Sequence, residues 1–110
     1  MTRIEVHQRL AERLRSAATG PGVTSASLRE AIVQRVASDG PAPRRPYAEL
    51  VDVIAVAAYR VTDQQVELVR REVGSDKAAF EIIATASVGA GLRRWDRAVE
   101  VIAGASRATG

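Results

Sequence analysis

Two carboxylic acids and a phenol stand at helical spacing in the segment YAELVDVIAVAAY, and their chemistry suits catalysis. Glu49 and Asp52 are three residues apart, and Val56 and Tyr59 continue the same face of a helix. In mostly apolar surroundings, burial raises the pKa of a carboxyl group toward values that general acid–base catalysis can use. Glu49, Asp52 and Tyr59 are therefore the candidate catalytic residues.

The same side chains also have a structural interpretation, which we favour. The two acids would pair with arginines at the edge of an interface, and Tyr59 would be buried with its hydroxyl group hydrogen-bonded. The arginines available for this pairing are Arg44, Arg45 and Arg60. The two interpretations predict different outcomes for Glu49→Gln or Asp52→Asn. An enzyme would lose turnover while staying folded, whereas a structural protein would lose assembly or stability, or show no change.

Helix signals divide the first half of the chain into three helices. Thr2 and Glu5 have capping-box spacing and begin an amphipathic helix, which the sequence TGPG ends at residues 19–22. Ser27 and Glu30 repeat that spacing before a short second helix. The Pro-rich connection that follows is expected to be an extended surface loop. The next segment, residues 47–59, is apolar nearly all round, which predicts a helix buried on several sides.

The second half of the chain predicts two more helices. Thr62 and Gln65 form another capping-box signal, and Gly74 suits the left-handed residue that ends a helix. Ser75 or Asp76 then caps a long helix, whose apolar side chains recur at intervals of three and four and are expected to face the core or a neighbour. These side chains are Phe80, Ile83, Ala84, Val88, Leu92, Trp95, Val99 and Ile102.

These patterns predict an all-α fold, a single compact domain of about five helices over residues 1–110. The domain divides into N-terminal helices at 1–38, the Pro-rich loop at 39–46 and a helical core at 47–104. Gly89 and Gly91 interrupt the last helix, where they permit close helix packing or a kink. In a domain this small, burial of the helix at 47–59 on several sides indicates a central position, a partner subunit, or both.

Composition excludes several classes of function. The chain has no cysteine, so it forms no disulfide, thiolate nucleophile or thiolate metal site. His7 is the only histidine, and we predict neither a metal site nor a cofactor. The net charge is +3, but the arginines are dispersed among thirteen acids, which favours a mixed-charge surface over nucleic-acid binding. Charges interrupt the N-terminal segment, so we expect a cytoplasmic protein without a signal peptide or membrane contact.

The order of a buried helix, a short capped helix, a Gly-Ser-Asp turn and a long helix ending in LRRWDRAVEVI resembles the alkylhydroperoxidase D-like, carboxymuconolactone decarboxylase-like family. The resemblance covers residues 47–102. That family typically carries Cys-x-x-Cys-x-x-x-His, with a glycine one helix later. With Gly74 in the place of that glycine, the motif falls on Tyr59, Thr62 and Val66. The family's upstream glutamate falls near Tyr47, so the pocket implied by the resemblance is lined by Tyr47, Tyr59, Thr62 and Val66.

The resemblance implies the helical fold and a homo-oligomer, a trimer or hexamer, without the thiol peroxidase reaction. A thiolate, a resolving thiol and a proton-transferring histidine are all replaced. We therefore interpret the chain as a structural or regulatory subunit, or as a binder of a small apolar ligand. A sister subunit could supply the missing cysteines. The alternative is a cysteine-independent decarboxylase, isomerase or hydrolase of a small organic acid, and a minor alternative is a helix-turn-helix DNA-binding protein.

Overall fold

The computed structural model describes residues 2–109, and they form five α-helices and one short 3₁₀ helix with no strand in that range. The helices are α1 (Arg3–Thr19), α2 (Ala26–Ser38), α3 (Tyr47–Ala57), the 3₁₀ helix (Ala58–Arg60), α4 (Asp63–Val73) and α5 (Asp76–Thr109). The predicted all-α fold of about five helices is confirmed. None of the helices in the described range is long and apolar enough to cross a bilayer.

The core forms where α2, α3 and α4 pack against the first half of α5. Its largest fully buried side chains are Ile32, Leu50, Val51, Val69 and Ile82. All four helices therefore contribute at least one side chain that is shielded from water. Burying an aliphatic side chain of this size stabilises a fold by about 1.5–3 kcal/mol, so these residues account for a large part of the stability.

The face of α5 that enters the core overlaps only partly with the predicted one. The buried residues of its first half include Ala78, Ala79, Ile82, Thr85, Ala86 and Ala90 together with the predicted Leu92, whereas Phe80 is 69% exposed. A helix rich in alanine has more than one apolar face, so spacing alone does not select the inward one. The alanine face enters the core because its small side chains let α2 approach closely. A Cβ atom added to Gly89 would lie 2.9 Å from the Cβ atom of Val36, which confirms close helix packing at this glycine.

Within the single chain, helix α3 is buried on one face, so the central position among the alternatives is not observed and burial on further sides would require a partner subunit. Tyr47, Leu50, Val51 and Ile54 enter the core, but Val56 is 83% exposed. In a domain of this size α3 packs against the other helices on one side only. The apolar residues of its opposite side remain at the surface.

Local helix signals were predicted well, with one displacement. Capping boxes begin α1 at Thr2 and α4 at Thr62, and Gly74 ends α4 with a φ of 89°. Helix α2 is capped by Ser25, whose hydroxyl accepts a hydrogen bond from the Leu28 amide at 3.2 Å, and not by Ser27 as predicted. The segment TSAS offers two serines two residues apart, and the one that precedes the first helical residue caps it.

A buried ion pair holds the loop that connects α1 and α2 against helix α5. The Arg29 side chain is almost fully buried, and its Nε atom lies 3.0 Å from Oε1 of Glu81. Arg29 also donates a hydrogen bond of 2.7 Å to the Ala18 carbonyl at the end of α1. The Glu81 carboxylate accepts hydrogen bonds of 2.9 Å from the backbone amides of Val23 and Thr24, and one from the Thr24 hydroxyl. The loop is thus held by charge-assisted hydrogen bonds.

The electrostatics of Glu81 follow from these contacts. Partial burial by itself would raise the pKa of the Glu81 carboxyl group. Hydrogen bonds from Thr24 and Val23, together with the Arg29 charge, outweigh burial and lower the pKa of Glu81 to about 2. The carboxylate is therefore ionised at neutral pH, and its contacts with the loop are made in the charged form.

Helix α1 lies antiparallel to α5 and is the least buried of the five α-helices. The His7 and Trp95 rings are 5.4 Å apart near one end of the contact, and Ala18 lies with Thr85 and Val88 at the other. None of the α1 residues, 3–19, is buried. The position of α1 therefore depends on the Arg29 and Glu81 contacts at its end as well as on its own packing.

Candidate functional site

The predicted catalytic residues are not assembled into one apolar site. Helix α3 ends at Ala57, whose φ of −158° and ψ of 83° are not helical, so Tyr59 does not continue the face that carries Glu49 and Asp52. The Tyr59 ring is 85% exposed, which corrects the expectation that it is buried. Its ring lies 5.9 Å from the Arg60 guanidinium in a cation–π contact.

Both candidate acids form ion pairs, as the structural interpretation expects. Glu49 lies 2.9 Å from Nε of Arg45, one of the three arginines named from the sequence. Asp52 is paired instead with Arg35, which the sequence did not indicate. Arg35 donates two hydrogen bonds to the two Asp52 carboxylate oxygens, at 3.1 and 3.2 Å. A carboxylate held in this bidentate way is oriented toward the guanidinium and not toward a reacting proton.

The four residues of the pocket implied by the family resemblance lie in different surroundings. Tyr47 is buried in the core, where burial raises the pKa of its phenol, and the Arg44 guanidinium lies 5.0 Å from its ring. Val66 packs against the same core. Thr62 is an exposed residue that caps α4, and Tyr59 is at the surface. The structure thus brings Tyr47 and Val66 to one cluster and leaves Tyr59 and Thr62 outside it.

Asp52 lines a charged groove of about 420 Å³ between α2, α3 and α5. We call it the paired groove. Its polar side chains are Arg35, Asp39, Asp52 and Arg93, and its apolar lining includes Val36, Ala55 and Val56. The third guanidinium nitrogen of Arg35, Nη1, donates a hydrogen bond of 3.1 Å to the Gly40 carbonyl. The groove therefore contains two cations and two anions.

The second ion pair of the paired groove closes the end of α2. Asp39 ends that helix in the left-handed conformation, with a φ of 54°. Nη1 of Arg93 donates a hydrogen bond to Oδ1 of Asp39 and also reaches the Val36 carbonyl. The hydrogen bond from Arg93 and its positive charge hold the pKa of Asp39 below its ordinary value. Asp39 is consequently a poor proton acceptor at neutral pH, which argues against acid–base catalysis by this residue.

Three residues of the paired groove were missed in the sequence for a common reason. Arg35 meets its partner Asp52 across 17 positions, and Arg93 meets Asp39 across 54. Pairing over such separations leaves no periodic pattern. The only local signal is the Asp-Gly sequence at Asp39 and Gly40, because aspartate before glycine is favoured where the backbone turns left-handed.

Comparisons of the chain with protein-family models, with curated proteins and with solved structures find no match. Within residues 2–109, no group of three or more histidine or acidic side chains could hold a metal ion.

Proposed function

We propose that the chain is a non-catalytic subunit of a homo-oligomer and that copies associate through the surface next to the paired groove. The observation that carries this proposal is the exposure of Val56 and Tyr59, 83% and 85%, within four positions of each other. Large apolar and aromatic side chains exposed together on a small domain favour a protein contact. Tyrosine and arginine are also enriched at interfaces, and Arg60 lies beside the Tyr59 ring.

The charges of the paired groove support contact with an identical surface. Two arginines and two aspartates sum to no net charge, so a second copy would meet no overall repulsion. In a contact between two copies, each Arg of one copy can approach an Asp of the other without loss of charge balance. The family resemblance predicts association as a trimer or hexamer, and the measurement below tests that number directly.

Native mass in solution tests the proposal. By analytical ultracentrifugation, the unchanged protein is expected to sediment as a discrete oligomer. The double change Val56→Ser and Tyr59→Ser is expected to shift it to a smaller species while preserving the helical circular dichroism signal. Phe80→Ser is the matched control, because Phe80 is also exposed but lies about 20 Å along α5 from Arg93. A monomeric unchanged protein, or an equal loss of mass in the control, would refute the proposal.

The paired groove also supports a second candidate function, the binding of a small organic anion. Arg35 and Arg93 present guanidinium groups to a space of about 420 Å³ that Ala55 and Val56 line with apolar surface. This volume lies within the range of about 300–1,000 Å³ that is usual for ligand sites. Benzoate titrated in isothermal calorimetry should bind the unchanged protein and not Arg93→Gln. Equal heats for both proteins would exclude this role.

A further inference from the structure

A second groove runs between α1 and α5, and its lining is almost entirely apolar. Its volume is about 240 Å³, and the side chains that form it include Leu10, Leu14, Leu92 and Trp95, with Gly91 among them. We call it the α1–α5 groove. Leu10 and Leu14 are 54% and 48% exposed, so α5 covers only part of the apolar surface of α1. An amphipathic helix that buries none of its side chains presents a face available to a partner.

The α5 side of this groove combines Gly91 with two large side chains, Leu92 and Trp95. A Cβ atom added to Gly91 would have nothing within 4 Å, so the space above this glycine is open. Ala84 and Ala98 stand seven residues before and after it, which places them on the same side of the helix after two turns. Side chains at a helix contact set the distance between the two axes. Another helix could therefore approach α5 closely along this line.

Positive charges border the α1–α5 groove. Arg13 follows Leu10 by three residues and Arg3 precedes it by seven, so both arginines share its side of α1. Arg94 follows Gly91 by three residues on α5. Of the side chains in the described range, none forms an ion pair with Arg13 or Arg94. Their charges are consequently available to an incoming group.

Three acidic residues of the same two helices, Glu5, Glu12 and Asp96, lie on the opposite side of their contact. Glu12 and Asp96 line a separate depression together with Gln8 and Arg15. Glu5 precedes Glu12 by seven residues and so shares its side of α1. The α1–α5 groove thus has an apolar floor and a basic border. A second copy placed on it would bring like charges together, whereas an acidic partner would be complementary.

We propose that the α1–α5 groove binds an amphipathic helix of a partner protein, with the apolar face of that helix in the groove and acidic residues along its flanks. A helix in an apolar groove is a recurrent mode of recognition, with anchors spaced three, four and seven residues apart. A concave groove with a glycine in its lining fits such a ridge of side chains. Binding to an anionic bilayer would instead require a helix face that protrudes from the protein, whereas this groove is concave.

Two synthetic peptides provide the probe. Both are helical and carry leucine at the a and d positions of each heptad, one with glutamate and the other with lysine at the flanking positions. In fluorescence anisotropy, the glutamate peptide is expected to bind, and its affinity should fall as salt is added. The lysine peptide should bind on the order of tenfold more weakly, or not at all. Equal affinity for the two peptides would overturn the proposal.

Two pairs of variants locate the site. Gly91→Leu fills the groove and should weaken binding of the glutamate peptide on the order of tenfold or more. Gly104→Leu is its control, because a Cβ atom there also meets nothing within 4 Å. Arg13→Glu should weaken binding, whereas Arg15→Glu, which changes the charge on the opposite side of α1, should weaken it much less. Circular dichroism of each variant verifies that it is folded. Unchanged binding by Gly91→Leu would place the peptide elsewhere and overturn the proposal.

Two further measurements separate this proposal from its competitors. Binding to phosphatidylserine vesicles that is lost in Gly91→Leu, without binding of the glutamate peptide, would show that the surface contacts membranes and would overturn the proposal. A change in native mass caused by Gly91→Leu would show that a second copy occupies the groove and would also overturn it. Homo-oligomerisation through Val56 and Tyr59 is tested by different variants, so failure of either proposal leaves the other standing.

Discussion

The paired groove and the α1–α5 groove lie on the same small domain and differ in how their charges and walls are held. In the paired groove each arginine is matched by an aspartate, and the helices that form it share a core of fully buried side chains. In the α1–α5 groove the arginines at the border are unmatched, and one wall is a helix with no buried residue. The first surface is fixed and electrically balanced, whereas the second has unmatched charge and a marginally packed wall.

Exposed apolar surface therefore has two different meanings in this chain. Beside the paired groove, Val56 at the end of α3 and Tyr59 in the 3₁₀ helix are exposed where the charges are balanced, which suits contact with an identical surface. At the α1–α5 groove, Leu10 and Leu14 belong to the helix whose packing is weakest, and the charges beside it favour an acidic partner. The predictions below test the anchoring of each region separately.

The largest effect is expected for Arg29→Ala, which removes the anchor of α1. Loss of one partner of a buried ion pair leaves the other charge uncompensated and costs about 3–5 kcal/mol of unfolding free energy. Urea unfolding followed by circular dichroism measures this cost. Arg35→Ala in the paired groove is the matched control, because that ion pair is partly exposed and its loss should cost much less. Similar costs for both variants would contradict the difference in anchoring.

The walls of the two grooves should respond differently to loss of a leucine side chain. Leu50→Ala removes a fully buried side chain of α3 and should lower the unfolding free energy by about 2–5 kcal/mol. Leu10→Ala shortens a half-exposed side chain of α1 and should cost less than about 1 kcal/mol. Both values come from urea unfolding under the same conditions. A cost above that of Leu50→Ala for the α1 change would show that α1 belongs to the core.

Acid should weaken the anchor of α1 through Glu81. The pKa of Glu81 is lowered from 4.5 to about 2 in the folded protein, so its contribution is fully present above pH 4.5 and is lost as the pH falls toward 2. Over that window the unchanged protein should lose on the order of 2 kcal/mol more stability than Glu81→Gln, after allowance for partial exposure. Urea unfolding at a series of pH values measures the difference.

Glu67→Gln is the control for this pH dependence. Hydrogen bonds from Arg70 lower the pKa of Glu67 to about 2 as well, but that ion pair is at the surface. Its contribution should be smaller and should fade with added salt. If Glu81→Gln has the same acid profile as the unchanged protein, the Glu81 contacts do not anchor the loop.

The smallest effects are expected at two glycines of α5 that face different regions. Gly91→Ala adds a methyl group to open space and should raise the unfolding free energy by about 1 kcal/mol, because alanine favours a helix. Gly89→Ala places its Cβ atom 2.9 Å from Val36 and should lower stability by about 1 kcal/mol despite the same gain. Thermal unfolding distinguishes the two signs. A stabilising Gly89→Ala would show that the contact between α2 and α5 yields easily.

The candidate site was predictable only where its signals are local. The positions of Glu49 and Asp52 on α3 and the pairing of Glu49 with Arg45 follow from residues within four positions of one another. The partner of Asp52 was missed because Arg35 belongs to a different helix. Tyr59 was misplaced because α3 ends at Ala57, and no glycine or proline marks that end in the sequence.

Local sequence signals were sufficient to predict the helical class of the fold, the caps at Thr2 and Thr62, the left-handed end at Gly74 and the exclusion of thiol chemistry. Each of these depends on residue identity or on hydrogen bonds between residues three or four positions apart. Tertiary structure decided which face of α5 enters the core and how Arg29 meets Glu81. Those outcomes depend on the fit between whole helices and on contacts between distant positions, which a periodic pattern along one helix does not encode.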